Sequence, residues 1–217
     1  MNNYLNRFTS MLDEIRSQAK INIKTYCFYP PFSKAQIAEI ERDFDVVFHE
    51  SISNFYQQIG GFRLEWISSD EVEDEAFRVS GSIHLIPIEQ VLSGWENDEW
   101  FNNLWFDWMD ESQKKDLKRL KPFDYFNNDD SGCTCFRLKD KTLDRNLQLH
   151  SVDYGTHQLD FGFEVYLEKL LKTRGFYGWQ FLLAKDRESL FNYEDLYAFF
   201  HSQIPQLFPN TDFSEFE

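Results

Sequence analysis

The histidines of this chain are the side chains best suited to bind a transition metal. There are five, and they are scattered: His49, His84, His150, His157 and His201. No two of them have the His-x-x-x-His or His-Glu-x-x-His spacing that places two ligands on one face of a helix. Lone histidines are more often ordinary surface or core residues than ligands. The sequence therefore predicts no metal site.

The cysteines are the strongest potential nucleophiles, and there are three: Cys27, Cys133 and Cys135. An odd number cannot pair completely within one chain. The Cys-x-Cys pair stands on a predicted strand, where it points both thiols to one face and lacks the Cys-x-x-Cys turn that redox and metal sites favour. We expect reduced cysteines, as in a cytoplasmic protein.

Other catalytic patterns are missing from the sequence. There is no Gly-x-Ser-x-Gly nucleophile elbow and no Gly-x-x-x-x-Gly-Lys-Ser/Thr phosphate loop. Gly60-Gly61 is better explained as a helix cap, and the carboxylate pair Asp129-Asp130 is typical of a turn. The sequence predicts a protein that is not an enzyme and that binds no cofactor.

The segment 64–113 points to binding instead of catalysis. It contains thirteen acidic residues and one basic residue, Arg78, together with four tryptophans at 95, 100, 105 and 108. An acidic field attracts a basic partner from a distance, and tryptophan supplies rigid contact area. The alternative is a solvated charged face with tryptophans in the core. The residues predicted to bind a partner are Glu65, Asp70, Glu71, Glu73, Asp74, Glu75, Trp95, Glu96, Asp98, Glu99 and Trp100.

The net charge of −15 is unevenly distributed along the chain. The segment 64–113 carries −12 and the tail 186–217 carries −6, so the remaining residues sum to about +3. The sequence shows no basic patch that would bind phosphates, which argues against direct nucleic-acid binding. It also contains no run of about 18 apolar residues and no secretory signal, so we expect a cytoplasmic protein without a membrane partner.

The N-terminal part is predicted to be helical. Apolar residues repeat at helical spacing over residues 2–19. Ser33 and Gln36 form a capping-box pattern that opens a helix of about ten residues. An apolar stripe from Ile52 to Ile59 predicts a third helix, which should stop at Gly60-Gly61 because glycine adopts the left-handed cap conformation readily.

The middle of the chain is predicted to form strands. Apolar and polar residues alternate from Phe62 to Ile67, the pattern of a half-buried strand. Residues 127–132 are polar turn formers between two strand-like runs, which predicts a hairpin. The predicted strands after the first are residues 77–79, 82–86, 122–126, 133–138 and 147–152.

The C-terminal part is again helical. Residues 163–174 carry an apolar stripe, with Glu168 and Lys172 spaced for an ion pair and Gly175 as the expected cap. A last helix is predicted over residues 188–201. The order of helices, strands and helices, without βαβ alternation, favours an α+β fold.

An ordered set of short motifs resembles the SMI1/KNR4 family, the core of the SUKH superfamily. It begins with the Ile-x-x-Ile-Glu helix at Ile37–Glu41 and the Ile59-Gly60-Gly61-Phe62-Arg63-Leu64 run. It continues with Ile86-Pro87-Ile88, with Asp130-Ser131-Gly132-Cys133, and with Phe163-Glu164-Val165-Tyr166-Leu167. The resemblance covers residues 33–174. Where the family commonly has Asn-Gly-Gly, this chain has Ile59 before the two glycines.

The resemblance implies a single domain over residues 1–217, with a curved, mostly antiparallel sheet backed by helices. The N-terminal helix 2–19, a Trp-rich acidic insertion at about 95–117 and a C-terminal extension over 176–217 exceed the family pattern. Family members in bacteria usually act as immunity proteins that bind and neutralise a cognate polymorphic toxin. Others are intracellular interaction modules in regulatory pathways.

Two functions therefore follow as hypotheses. The first is a cytoplasmic immunity protein that occludes a basic toxin, for example a nuclease. The second is a non-catalytic module that binds a host protein. For either one, we expect the acidic segments Glu65–Glu75 and Glu96–Glu111 on one side of the fold. Trp105 and Trp108 should be buried, and Trp95 or Trp100 should lie nearer the surface.

Overall fold

The computed structural model describes residues 3–69, 78–93, 109–126, 132–151 and 154–216, and the structural statements below concern these residues. They form seven α-helices and one open, eight-stranded antiparallel sheet, with a helix before the sheet and helices after it. The α+β fold predicted from the sequence is confirmed.

The helices are α1 (Tyr4–Ser17), α2 (Lys34–Asp43), α3 (Glu50–Tyr56), α4 (Ile88–Ser93), α5 (Glu111–Leu117), α6 (Phe163–Thr173) and α7 (Tyr193–Leu207). The strands are β1 (Ile21–Tyr29), β2 (Gly61–Ser68), β3 (Ser80–Leu85), β4 (Leu120–Asp124), β5 (Gly132–Lys139), β6 (Thr142–Leu143), β7 (Gln148–Ser151) and β8 (Gly155–Gln158). Short 3₁₀ turns follow at Phe181–Leu183, Arg187–Ser189 and Ser214–Phe216.

Helices α1 and α2 form where their patterns predict. The apolar stripe of α1 is buried, and the Asn3 side chain caps its first turn by accepting a hydrogen bond from the Asn6 N–H. In α2 the Ser33 and Gln36 side chains make the reciprocal bonds of a capping box. Local hydrogen-bonding chemistry therefore fixes where both helices begin.

The end of α3 differs from the prediction. The helix stops at Tyr56, and Gln57 keeps a right-handed conformation, so the two glycines do not cap it. They are needed for close approach instead. A Cβ on Gly60 would lie 1.8 Å from the Pro30 carbonyl oxygen, and one on Gly61 would lie 2.4 Å from that of Leu85. The glycines let β2 start against two neighbouring backbones.

The strand order in the sheet is β1-β2-β3-β4-β5-β7-β8, with β6 paired to β5. Strand β2 alternates as predicted: Phe62, Leu64 and Trp66 are buried, and Phe62 contacts Phe8 of α1 with ring centroids 5.0 Å apart. Strand β1 was missed. A bulge between Ile23 and Thr25 breaks its alternation, and as an edge strand it is only partly buried.

Strands β3, β4, β5 and β7 match the predictions within a few residues, whereas the short strands β6 and β8 were not predicted. Strands β4 and β5 pair as the predicted hairpin, although β4 begins at Leu120, two residues early. The strand predicted at 77–79 is wrong for Arg78 and Val79, since β3 begins at Ser80, and Phe77 lies outside the described residues. Strand β7 ends at Ser151, and Val152 also lies outside them.

The core is rich in aromatic rings. Phe123 of β4 and Phe136 of β5 have centroids 4.4 Å apart, and both contact Phe163 of α6 at 5.3 Å. One connected hydrophobic cluster contains buried side chains from Tyr4 to Phe216. The N-terminal helix and the tail therefore share this core.

Glu168 and Lys172 on the surface of α6 form ion pairs with other parts of the chain and not with each other. Glu168 binds Arg7 of α1, and Lys172 binds Glu215 near the C-terminus at 2.7 Å, so the predicted Glu168–Lys172 pair is wrong. Both side chains therefore pair with an opposite charge from a distant part of the chain. The predicted tail helix is also shifted, since α7 runs from Tyr193 to Leu207.

Arg174, just after α6, joins four parts of the chain. Its backbone is left-handed (φ 53°), as is that of Gly175, the predicted cap (φ 70°). The Arg174 carbonyl accepts a 2.7 Å bond from Trp66 Nε1. Its buried guanidinium makes 2.7 Å bonds to both carboxylate oxygens of Glu14, donates to Thr211 at 3.0 Å and lies 4.3 Å from the ring centroid of Phe208.

This junction predicts the effect of Glu14→Gln. The substitution leaves the guanidinium of Arg174, whose side chain is 7% exposed, without its counter-charge. Because removing one partner of a buried ion pair is costly and Glu14 is partly exposed, we expect a loss of about 2 kcal/mol in the free energy of unfolding in urea. Asp13→Asn, on the same helix but at an exposed pair with Arg16, should cost under about 0.5 kcal/mol. Equal losses would contradict a special role for Arg174.

Candidate protein-binding surface

One cluster of titratable side chains lies entirely inside the core. Asp124 accepts hydrogen bonds from the His84 backbone N–H at 2.8 Å and from the Tyr166 hydroxyl at 2.5 Å. The Tyr166 oxygen also contacts Thr134 Oγ1 at 3.0 Å and accepts from Gln180 Nε2 at 3.2 Å. Burial raises the pKa of Asp124 from its ordinary 3.8 to about 6, although these two bonds to its carboxylate oppose the rise.

The second cluster contains the two buried thiols. Cys133 and Cys135 point to one face of β5, as predicted, with their sulfurs 3.5 Å apart. Burial raises the pKa of the Cys135 thiol, which keeps it protonated and weakly nucleophilic. Across the strand pair from Cys133, burial lowers the pKa of His150 to about 4. Within the part of the chain that the structure describes, no group of three or more His, Cys, Asp or Glu side chains could hold a metal ion.

Of the residues predicted to bind a partner, Glu65 alone lies among the described residues. It is on the face of β2 opposite Phe62, Leu64 and Trp66, and its carboxylate accepts from Arg63 at 2.7 Å. Part of its charge is therefore neutralised within the strand. Outside the described residues lie Asp70, Glu71, Glu73, Asp74, Glu75, Trp95, Glu96, Asp98, Glu99 and Trp100, together with Trp105 and Trp108.

The sheet face around Glu65 carries mixed charge. Cys27, Arg63 and His84 form a row across β1, β2 and β3, and the His84 ring lies 6.1 Å from that of Tyr125. Burial, followed by the nearby Arg63 charge, lowers the pKa of His84. This face therefore carries little net negative charge. Of the predicted acidic segment Glu96–Glu111, the acids Asp110 and Glu111 are described: Asp110 caps α5 and is exposed, and Glu111 is exposed and lies 3.3 Å from Lys114.

The tail provides an acidic and aromatic patch that the structure does describe. Phe191 is 76% exposed, the highest value among the large hydrophobic residues described. The carboxylates of Glu188, Glu194 and Asp195 surround it in sequence and are exposed. Half-buried Tyr193 follows, with its ring 6.0 Å from that of Tyr197. We name residues 188–197 the tail patch.

The loop that presents Phe191 is held in place at both ends. The His157 ring contacts Asp186 Oδ1 at 2.8 Å and the Tyr154 carbonyl at 2.7 Å, and the bond from His157 lowers the pKa of Asp186. Leu190 is buried, whereas its neighbour Phe191 points outward. Asn192 has a left-handed backbone (φ 63°) and precedes α7. A loop that is already held at both ends loses less backbone freedom when it docks than a free loop does.

The tail patch was only half visible in the sequence. The sequence shows the acidic excess of residues 186–217 but does not by itself indicate an aromatic anchor there. The signal is the run Leu190-Phe191-Asn192-Tyr193-Glu194-Asp195, which mixes aromatic and acidic residues as the segment 95–108 does. What could not be seen is that Leu190 faces inward and Phe191 outward.

Comparison of the chain with protein-family models gives no match, and comparison with curated proteins gives no significant match. The resemblance to the SMI1/KNR4 family remains a prediction from its motifs. None of the described helices is long and apolar enough to cross a membrane.

The buried Asp124 predicts a specific pH dependence of stability. Its pKa is raised on folding, so its contribution to stability is complete below about pH 4 and declines as the pH rises through about 6. The difference between the two pKa values corresponds to about 3 kcal/mol. The stability of the wild type relative to Asp124→Asn should therefore fall by up to that amount between pH 4 and pH 7, measured by urea unfolding. A stability difference that is the same at both pH values would contradict this.

Proposed function

We propose that this protein is a non-catalytic immunity protein of the SMI1/KNR4 kind, which binds a basic toxin domain in the cytoplasm and blocks its active site. The observation that carries the proposal is the tail patch, where an exposed Phe191 stands between three exposed carboxylates in the sequence, on a loop held at both ends. It combines the two components expected of a surface that attracts a basic protein and then holds it.

The charge distribution supports the same function. Two acidic sectors on a nearly neutral body repel themselves, and binding a basic partner relieves that repulsion. A toxin that acts on nucleic acid needs a basic surface for its own substrate, so an acidic protein can cover that surface. Inhibition by occlusion requires no catalytic residue in the immunity protein.

The buried clusters also agree with a binding role. Asp124, Tyr166 and Thr134 form hydrogen bonds inside the core that link strands β4 and β5 to α6. The thiols of Cys133 and Cys135 lie at 0% exposure. In this proposal, both clusters keep the scaffold rigid behind the binding surface.

Co-expression tests the function directly. Toxin domains encoded beside the gene are expressed in a bacterial host with and without this protein, and survival is counted. We expect one toxin to kill alone and to be neutralised by this chain. If no neighbouring toxin is neutralised, and the chain instead co-purifies with a housekeeping protein of its own cell, the regulatory alternative replaces the proposal.

Charge reversal tests electrostatic steering of that toxin. Surface plasmon resonance should show association slowed at least about tenfold when four carboxylates are reversed together, because exposed charges act over a Debye length of about 8 Å at physiological salt. The four are Asp70, Glu71, Asp74 and Glu75. Raising the salt should slow the wild type similarly, and Asp13→Lys with Glu39→Lys is the control. An association rate indifferent to both salt and reversal would exclude steering.

Truncation of Phe191 tests the anchor separately. Phe191→Ala should speed dissociation and cost about 2 kcal/mol, or about thirtyfold in affinity, if the ring fills a pocket on the toxin. Leu5→Ala removes an exposed apolar side chain from α1 and should change the affinity less than twofold. Equal affinities for wild type and Phe191→Ala would show that the toxin does not use Phe191 as an anchor.

A further inference from the structure

The fold brings three separate parts of the chain together into a positively charged surface. They are residues 44–47, 115–119 and 137–142. The Leu138 N–H donates to the Arg119 carbonyl at 2.7 Å, which places the turn before β4 beside the end of β5. Lys139 of β5 pairs with Thr142 of β6, and Thr142 forms a parallel bridge with Val47. We name this surface the basic strip. The strip contains four neighbouring backbone segments, because β5 and β6 each contribute one. With strands about 4.8 Å apart, these four segments span about 14 Å.

The strip contains cations that are not neutralised. Lys115, Lys118, Arg119 and Lys139 are exposed, and none of the four has an ion pair in the described part of the chain. Two further cations are already paired, Arg137 with Asp116 and Lys141 with Asp45. Residues 137–145, which turn through β6, contain two acids. Asp140 is exposed and Asp144 is half-buried.

This positive surface stands out because the whole chain carries −15. The sequence did not reveal it, since its members are interrupted by acids and apolar residues. Lys118 and Arg119 follow Lys115 of α5 by three and four residues, about one helical turn, so both lie near it. Backbone pairing then adds Lys139 to them.

Exposed apolar side chains lie at the other end of the strip. Val47 is 61% exposed and Phe44 is 44% exposed. Val47 cannot retract, because its neighbours Val46 and Phe48 are both buried, and the Phe48 N–H is held by Glu41 at 2.7 Å. The Val47 N–H is fixed to the Lys141 carbonyl at 2.8 Å. The loop thus presents a rigid apolar side chain beside a row of cations.

We propose that the basic strip is a second protein-binding surface, which takes an acidic segment of another protein whose carboxylates flank one or two apolar side chains. Carboxylates would meet Lys118, Arg119 and Lys139, while the apolar side chains would cover Val47 and Phe44. This surface is made of cations and not of the carboxylates of the acidic sectors, so it goes beyond toxin binding. It would allow the protein to bind a second partner of opposite charge.

An acidic protein fits the strip better than a nucleic acid does. A phosphate backbone would use the cations but would leave the exposed Val47 and Phe44 uncovered. Nucleic acid would also be repelled by the strong overall negative charge of the chain. This repulsion acts on a nucleic acid over a longer distance than on a short peptide, so it weakens nucleic-acid binding more.

The test uses fluorescence anisotropy with a fluorescein-labelled synthetic peptide, Glu-Asp-Leu-Glu-Glu-Leu-Asp-Glu, at 50 mM salt. The intact protein should bind it with a dissociation constant below about 1 mM. Arg119→Gln with Lys139→Gln should weaken binding at least tenfold, and Val47→Ser about threefold. The matched control removes two exposed cations elsewhere, Lys24→Gln with Lys34→Gln, and Leu5→Ser is the control for an exposed apolar residue; both should change binding less than twofold.

Three results would overturn the proposal. The first is no binding of the peptide at 1 mM protein, and the second is an equal loss in the two double variants. The third is tighter binding of a labelled single-stranded 12-mer oligonucleotide than of the peptide, with the same loss in Arg119→Gln/Lys139→Gln, which would assign the strip to nucleic acid. All substituted residues are exposed, so circular dichroism melting curves should match the wild type and show that each variant is folded.

Discussion

The burial of Arg174 is the constraint on which the arrangement of this protein depends. A guanidinium cannot remain charged in a core unless its hydrogen bonds and its charge are satisfied, so Arg174 fixes Glu14 of α1 and Thr211 of the tail around it. Its carbonyl fixes the indole of Trp66 in β2, and a Cβ on Gly81 would lie 2.2 Å from that indole. The first helix, the sheet and the last segment are thereby joined at one point. Both the first helix and the last segment are therefore held against the sheet.

Segregation of charge is the second organising feature. The acids concentrate in residues 64–113 and in the tail, whereas Lys118, Arg119 and Lys139, which have no ion pair among the described residues, lie at one end of the sheet. Like charges placed together destabilise the folded state, and both groupings are the basis of the proposed binding surfaces. A fixed apolar side chain, Phe191 in one and Val47 in the other, accompanies each described grouping. In protein complexes, complementary charge speeds association and a buried anchor side chain slows dissociation.

Sequence reasoning succeeded where a pattern is local and failed where a partner is distant. The capping box at Ser33 and the apolar stripe of α6 were readable because both depend on residues within one helix. Strand β1 was missed because its bulge destroys the period-two signal. Lys172 was paired with Glu168 on spacing alone, yet it binds Glu215, which the packing of the tail places closer. At the candidate surface, the acidity of the tail was predicted, but the outward Phe191 was not.

The sequence by itself determined the α+β class, the main helices and strands, the location of the acidic sectors and the common face of Cys133 and Cys135. Each of these follows from composition or from spacing along one element, which the chain carries in any conformation. The tertiary structure alone decided that Gly60 serves close packing against Pro30, that Asp124 is buried with a raised pKa, and that Arg119, Lys139 and Val47 form one surface. These properties depend on which distant segments become neighbours, and that is set by the packing of the whole core and not by any local pattern.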